Sequence, residues 1–242
     1  MFIKNLKKLT VAALAVLFMI PAGVSSANVE NVSRIAGEDR IATSIEISKA
    51  MFNESDNVVL ASGFNFADAL SAGQLAAALN APLILSNDQL DSRTSDEIAK
   101  LKPKNMYIVG GENALGSNIE ESVKSVVNDI NIERLKGNDR YETSVKVMEK
   151  TKEFVDAEYL LIASGKNFPD ALSATSFMAD HKALMVLSDG NSYPKSDLQE
   201  IAIGGVNQLP LNGFTGERIA GNDRYQTALA IAKRSFENNE NA

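Results

Sequence analysis

The sequence predicts an α/β fold of repeated units, each a parallel sheet flanked by helices. Two observations lead there. From residue 40 onward, short β-branched or leucine-rich runs alternate with stretches of helical length, the pattern of buried strands joined by crossover helices. The pattern is also stated more than once: "RIAGEDRIATS" (34–44) returns as "RLKGNDRYETS" (134–144) and as "RIAGNDRYQTA" (218–228). Two more blocks recur at an offset of 102 residues, "VLASGFNFADALSA" (59–72) as "LIASGKNFPDALSA" (161–174), and "APLILS" (81–86) as "ALMVLS" (183–188). Repetition on this scale means stacked supersecondary units.

The elements follow in order. Residues 1–27 read as a signal peptide: Lys4, Lys7 and Lys8, then an apolar run closed by Pro21, then small residues at 25–27, too short an apolar stretch to span a bilayer. In the first copy, "RIATSIEISKAMF" spaces its apolar residues as one helical face, "NVVLAS" (57–62) is a strand, and alanine-rich "FADALSAGQLAAALN" (66–80) is an interior helix. "PLILS" (82–86) is a strand apolar on both faces, "SRTSDEIAKL" (92–101) a surface helix and "NMYIVGG" (105–111) a strand. "SNIEESVKSVVND" (117–129) is a helix with Ser117 as its expected cap and Glu120 three residues on.

The copies are unequal. The second is shorter, and the spacing of its blocks places the losses around its last strand and last helix, about one βα unit. The expected division is a signal peptide at 1–27, a complete first repeat at 28–131, a shortened second at 132–216 and the opening helix of a truncated third at 217–242. If structural units run through the sequence repeats, helix 224–236 completes the second.

Charge and composition restrict the function. Net charge is −7, and removing the leader's three lysines takes it to −10. Bulk charge therefore gives no grip on nucleic acid or anionic membrane, and an anionic partner requires cations gathered locally. With no cysteine there is no disulfide frame or thiolate site. No His/Asp/Glu cluster has metal spacing, so neither metal nor cofactor is expected.

Candidate residues come from the repeated blocks. Asp39, Asp139 and Asp223 each precede a helix and suit its cap, leaving Arg40, Arg140 and Arg224 as first helical residues. A cation there faces the positive end of the helix dipole, which calls for a partner: Asp68 or Asp170 of the neighbouring copy, or an anionic ligand. Arg34, Arg134 and Arg218 open the same blocks. In "SGxNFxDALSA", Ser62, Asn65 and Asp68, with Ser164, Asn167 and Asp170, fall where a strand passes into a helix, the edge that ligands favour in open parallel sheets. Ser164, Asp170 and His181, the sole histidine, are the residues a hydrolase would use, but the G-x-S-x-G elbow is missing. "VGGENALG" (109–116) lacks phosphate-loop spacing and reads as a turn.

In combination, "RIAGEDRIATS", "SGFNFADALSA", "APLILS" and "MYIVGGENALG" resemble the cell wall binding repeat 2 modules of Gram-positive surface proteins. The resemblance implies Rossmann- or Toprim-like units, usually three in a pseudo-threefold ring, that bind an anionic secondary wall polymer. It also implies a polymer-binding role for Pro82–Leu85, which the residues alone mark as a buried supporting strand. The expected function is non-covalent retention at the wall without catalysis. The expected partner is an anionic wall polysaccharide or teichoic-acid-like polymer, with secreted, cell-wall or surface localisation and no membrane contact after leader cleavage. Self-association to complete the missing repeat is a further expectation. The alternatives are an exported wall hydrolase and a protein-binding adhesin module.

Overall fold

The computed structural model describes residues 33–237; the expected signal peptide lies outside the described residues. In chain order the elements are α1 (Arg40–Met51), β1 (Asn57–Ser62), α2 (Phe66–Leu79), β2 (Leu83–Ser86), α3 (Ser92–Leu101), β3 (Asn105–Val109), α4 (Ile119–Val126) and β4 (Asn131–Leu135). There follow α5 (Arg140–Lys152), β5 (Tyr159–Ser164), α6 (Pro169–Asp180), β6 (Ala183–Ser188), β7 (Gln199–Ile203), β8 (Glu217–Ile219) and α7 (Arg224–Glu237). Two four-stranded sheets result, ordered β2-β1-β3-β4 and β6-β5-β7-β8, and every pairing is parallel. The α/β class expected from the alternation of elements is the class observed.

Sheet and sequence repeat are out of phase. The strand part of "NIERL" joins the first sheet as β4, beside β3, whereas the helix that follows, α5, opens the second copy. Residues 217–219 likewise join the second sheet as β8, and α7 packs on α6 of that unit. Helix α5 is shared. Val147 enters a core with Leu75, Val59 and Val109 of the first unit, while Val145 and Met148 pack on Leu160, Leu184 and Val186 of the second.

The second copy loses its last helix as expected, but not its last strand. Its sheet keeps all four strands in the same order; what it loses are the helices corresponding to α3 and α4. In the first unit those helices cover one sheet face through Ile98, Leu101, Ile119 and Val123. In the second, loop residues Leu209, Leu211, Tyr193 and Phe214 cover the equivalent face. A strand removed from mid-sheet would unpair backbone groups on both neighbours, whereas a covering helix can be replaced by any apolar cover. Helix α4 is also shorter than expected and Asn118, not Ser117, stands at its cap without a side-chain capping bond. Glu120 serves Arg134 instead.

A reciprocal bond joins the units. β6 is an edge strand, so the outward amide and carbonyl of Met185 need partners. Gln74, buried on α2 of the first unit, supplies both: its Nε2 donates to the Met185 carbonyl at 2.9 Å and its Oε1 accepts the Met185 amide at 3.0 Å. Ser144 on α5 accepts the Leu187 amide at 3.0 Å, as Ser44 on α1 accepts the Leu85 amide of β2 at 3.0 Å. The edges are thereby sealed against pairing with another strand.

Candidate functional site

The carboxyl ends of β1 and β5 form equivalent rims. Ser62 and Ser164, expected to face a ligand, are buried, and their hydroxyls accept the amides of Phe64 and Lys166 at 3.2 Å. They staple the turn that leaves the strand. Asn65 donates to Asp68 at 2.8 Å, whereas Asn167 donates to Gln208 at 3.1 Å.

Asp68 and Asp170 are buried as well, each against a glycine of the opposite loop. A Cβ on Gly110 (φ +116°) would lie 2.8 Å from Asp68 Oδ2, and one on Gly204 (φ +109°) 2.6 Å from Asp170 Oδ2. Both the left-handed backbone and the carboxylate demand glycine there. The "VGG" segment is therefore the expected turn, packed on an acid. Burial pushes the Asp68 carboxyl up to about 6, against the opposing pull of Arg140 and of the Asn65 hydrogen bond. Burial also raises Asp170, opposed by Arg224. The carboxylate of one copy thus sits within the field of the arginine that opens the next.

The six arginines fall into three groups. Arg40 and Arg140 begin α1 and α5, capped by Asp39 and Asp139; Arg224 begins α7, where Asp223 accepts the Gln226 amide at 2.8 Å. Nη1 of Arg40 donates to the Gly63 carbonyl at 2.8 Å, and its guanidinium lies 5.1 Å from the Phe64 ring centroid. Arg140 repeats this with the Gly165 carbonyl at 2.9 Å and Phe66 at 5.3 Å, the latter supplied by the first unit. A carbonyl and an aromatic face hold each cation in place. Among the described residues neither has a carboxylate at ion-pair distance.

Arg134 and Arg218 turn onto the loops beneath them. Arg134 makes a two-pronged pair with Glu120 at 2.6 and 2.8 Å and donates to the carbonyls of Gly110, Leu115 and Gly116. Arg218 donates to the carbonyls of Gly204 and Leu209 at 2.6 and 3.0 Å, and burial lowers its pKa. Arg34, exposed at the position equivalent to these strand residues, has no strand around it and borders a shallow depression with Glu46 and Lys49.

The hydrolase residues are not assembled. His181 follows the end of α6, about 18 Å of helix from its start at the rim, and its Nε2 contacts the Ser235 carbonyl at 3.0 Å. It stacks on Phe177 at 4.3 Å. Sequence reasoning passed over the exposed rim aromatics Phe64 and Phe168, although each lies inside the repeated "SGxNF" block; it also passed over Gln74, whose repeat counterpart is Ser176 and which no local pattern marks.

The family model for cell wall binding domain 2 matches residues 34–120 and 134–212. The chain belongs to the cell wall binding domain 2 family. Cwp6 from Clostridium difficile superposes with a TM-score of 0.76 at 27% identity, over 90% of this chain and 39% of that one. Cwp8 from the same organism gives 0.72 at 24% identity, over 81% and 36%, a likeness of fold. The N-acetylmuramoyl-L-alanine amidase LytC of Bacillus subtilis is 28% identical over 95% of this chain and 47% of its own length. The amidase enhancer of that species is 30% identical over 87% and 30%. This cell wall binding domain 2 chain therefore spans about half or less of the curated relatives' length.

Proposed function

We propose that the protein is retained non-covalently at the cell wall by binding an anionic wall polymer along the carboxyl-end rim of its sheets, without catalysing a reaction. One observation carries the reading: in a strongly acidic chain of a wall-binding family, Arg40 and Arg140 are fixed at equivalent rim positions by a carbonyl and an aromatic ring, with no acid among the described residues neutralising them at contact distance. A guanidinium held by one nitrogen keeps other N–H groups for a phosphate or carboxylate. Arg224 begins the equivalent helix α7, and Asn65 and Asn167, partly exposed, lie on the loops whose Gly63 and Gly165 carbonyls hold Arg40 and Arg140. Exposed Phe64 and Phe168 offer flat apolar faces next to these cations. The amidase name attaches to a relative less than half covered by this chain, and the separation of Ser164 from His181 gives a hydrolase reading no support.

The test is sedimentation of the protein with purified walls before and after extraction of the anionic polymer. Retention should be lost on extraction and in the triple variant Arg40→Gln, Arg140→Gln, Arg224→Gln. It should weaken as salt shortens the screening length below about 8 Å. Undiminished binding to extracted walls would refute the polymer. Release of soluble wall fragments, abolished in His181→Ala, would restore the hydrolase.

A further inference from the structure

We propose that the two rims hold different parts of one polymer: Arg140 with Lys166 takes an oxyanion, and Phe64 beside Arg40 takes the face of a sugar ring. This division rests on the wall-polymer reading and deepens it. It starts from a single position of the repeat. In "SGFNF" the residue after the glycine is Phe64, and in "SGKNF" it is Lys166. Both side chains are exposed. Each directly follows the carbonyl that fixes the arginine of its rim, Gly63 for Arg40 and Gly165 for Arg140. At each rim, then, the guanidinium and the variable side chain are tied to the same peptide group, and only the chemistry of that side chain differs.

At the first rim the Phe64 ring is 69% exposed, with the Arg40 guanidinium 5.1 Å from its centroid. The cation steadies the ring and leaves most of it to solvent. An aromatic face is electron-rich and repels a bare anion, so the group that packs on it is apolar. The C–H groups on one face of a sugar ring meet that need, while its hydroxyls stay in water around the edge.

At the second rim no ring stands beside the carbonyl. Arg140 lies over Phe66 of the first unit at 5.3 Å, and Phe168 leans on that same ring at 5.9 Å. Arg140 is half-buried, and the Asp68 carboxylate offsets part of its charge. Lys166 supplies a second cation at the place where the first is weakened. Among the described residues Lys166 makes no ion pair. Asp189, held below the usual carboxylate range chiefly by the Asn191 amide and in small part by Lys166, spends its oxygens on Asn191 and Ser192. A guanidinium fork with an ammonium beside it is a donor set for a phosphate or a carboxylate. A strand that alternates sugar rings with such charges satisfies both rims and is bound in one direction, charge toward the seam.

Sedimentation of the full chain with purified walls over a range of salt separates the two contacts. Lys166→Gln should weaken retention about 5-fold at low salt and flatten its dependence on salt. Phe64→Ala should weaken it by a similar factor and leave the salt dependence unchanged, whereas Phe64→Lys should steepen that dependence. All three should keep the thermal midpoint, because the side chains are exposed. Walls stripped of phosphate esters with hydrofluoric acid lose retention if the oxyanion is a phosphate, and walls with amidated carboxyl groups lose it if it is a carboxylate. Retention that survives both treatments overturns the proposal. So does retention indifferent to Lys166→Gln or to Phe64→Ala, or a Phe64→Ala variant that flattens the salt dependence as Lys166→Gln does. If the arginine triple variant is released while Lys166→Gln and Phe64→Ala are indifferent, only this division of the rims falls; equal binding to extracted walls removes the polymer reading as well.

Discussion

The seam between the two units and the flank carrying α7 derive from the same repeated sequence, yet only the seam is closed. At the seam, Gln74 and Ser144 bind the edge of β6 from two helices, and Val147 is buried between units. At the flank, Ser176 and Ala228 occupy those positions, and Tyr225 and Leu229 remain exposed. The difference teaches that apolar periodicity brings a helix to a neighbour, while one or two well-placed polar side chains determine whether that neighbour is a strand edge. The charge pairs follow the same division. Asp68, opposite Arg140 at the seam, is 3% exposed, and Asp170, opposite Arg224 at the flank, is 9% exposed.

The comparison can be broken most forcefully at Gln74. Gln74→Ala strands a buried amide and a buried carbonyl of Met185 and should cost about 4 kcal/mol in chemical denaturation. A loss under about 1 kcal/mol would mean that the seam is held by apolar packing alone. Next comes Asp68. Its carboxyl titrates near 6 in the folded chain and near 3.9 in an unfolded one. Between those values the folded chain keeps a proton that the unfolded chain has released, so stability from this group falls as pH rises from about 4 through 6. The fall should approach 3 kcal/mol, a figure of about that order. Asp68→Asn should remove that part of the pH profile, and carbon-13 titration of the carboxyl reads the midpoint directly. A midpoint near 4 would place the group in contact with water or paired with Arg140.

Ser144→Ala should cost about 1.5 kcal/mol by leaving the Leu187 amide unpaired, measured beside Ser44→Ala, which removes the same bond from Leu85. The smallest effect belongs to the open flank. Ser176→Ala and Ala228→Ser should each change stability by less than about 0.5 kcal/mol, since among the described residues no strand edge meets them there. A larger change in either would show that the flank is covered in solution.

Much of this molecule was legible in the chain. The Asp–Arg pairs at 39–40 and 139–140 mark helix starts because a short acid before a helical face has one main use, capping the free amides. The strands at 57–62 and 105–109 were plain from β-branched runs closed by glycine. Arg134 and Arg218 could not be told apart from Arg40 and Arg140. A repeated arginine looks the same whether it reaches outward or spends its donors on the loop beneath it, and only the positions of Glu120 and of the Gly110 and Gly204 carbonyls distinguish the cases. The shortening of the second copy was likewise counted correctly in residues and rightly assigned to its last helix, but the other loss is the helix equivalent to α3 and not the last strand, because spacing records how much is lost and not which layer.

The sequence by itself determined the α/β class, the duplication and the family, since these rest on local periodicity and on motifs that survive in linear order. Tertiary structure alone decided which arginines stay available, which helix seals which strand edge, and where apolar faces end uncovered. Those outcomes depend on backbone groups brought together from more than 100 positions apart, as Gln74 and Met185 are, and hydrogen-bond satisfaction at that range leaves no trace in a local pattern.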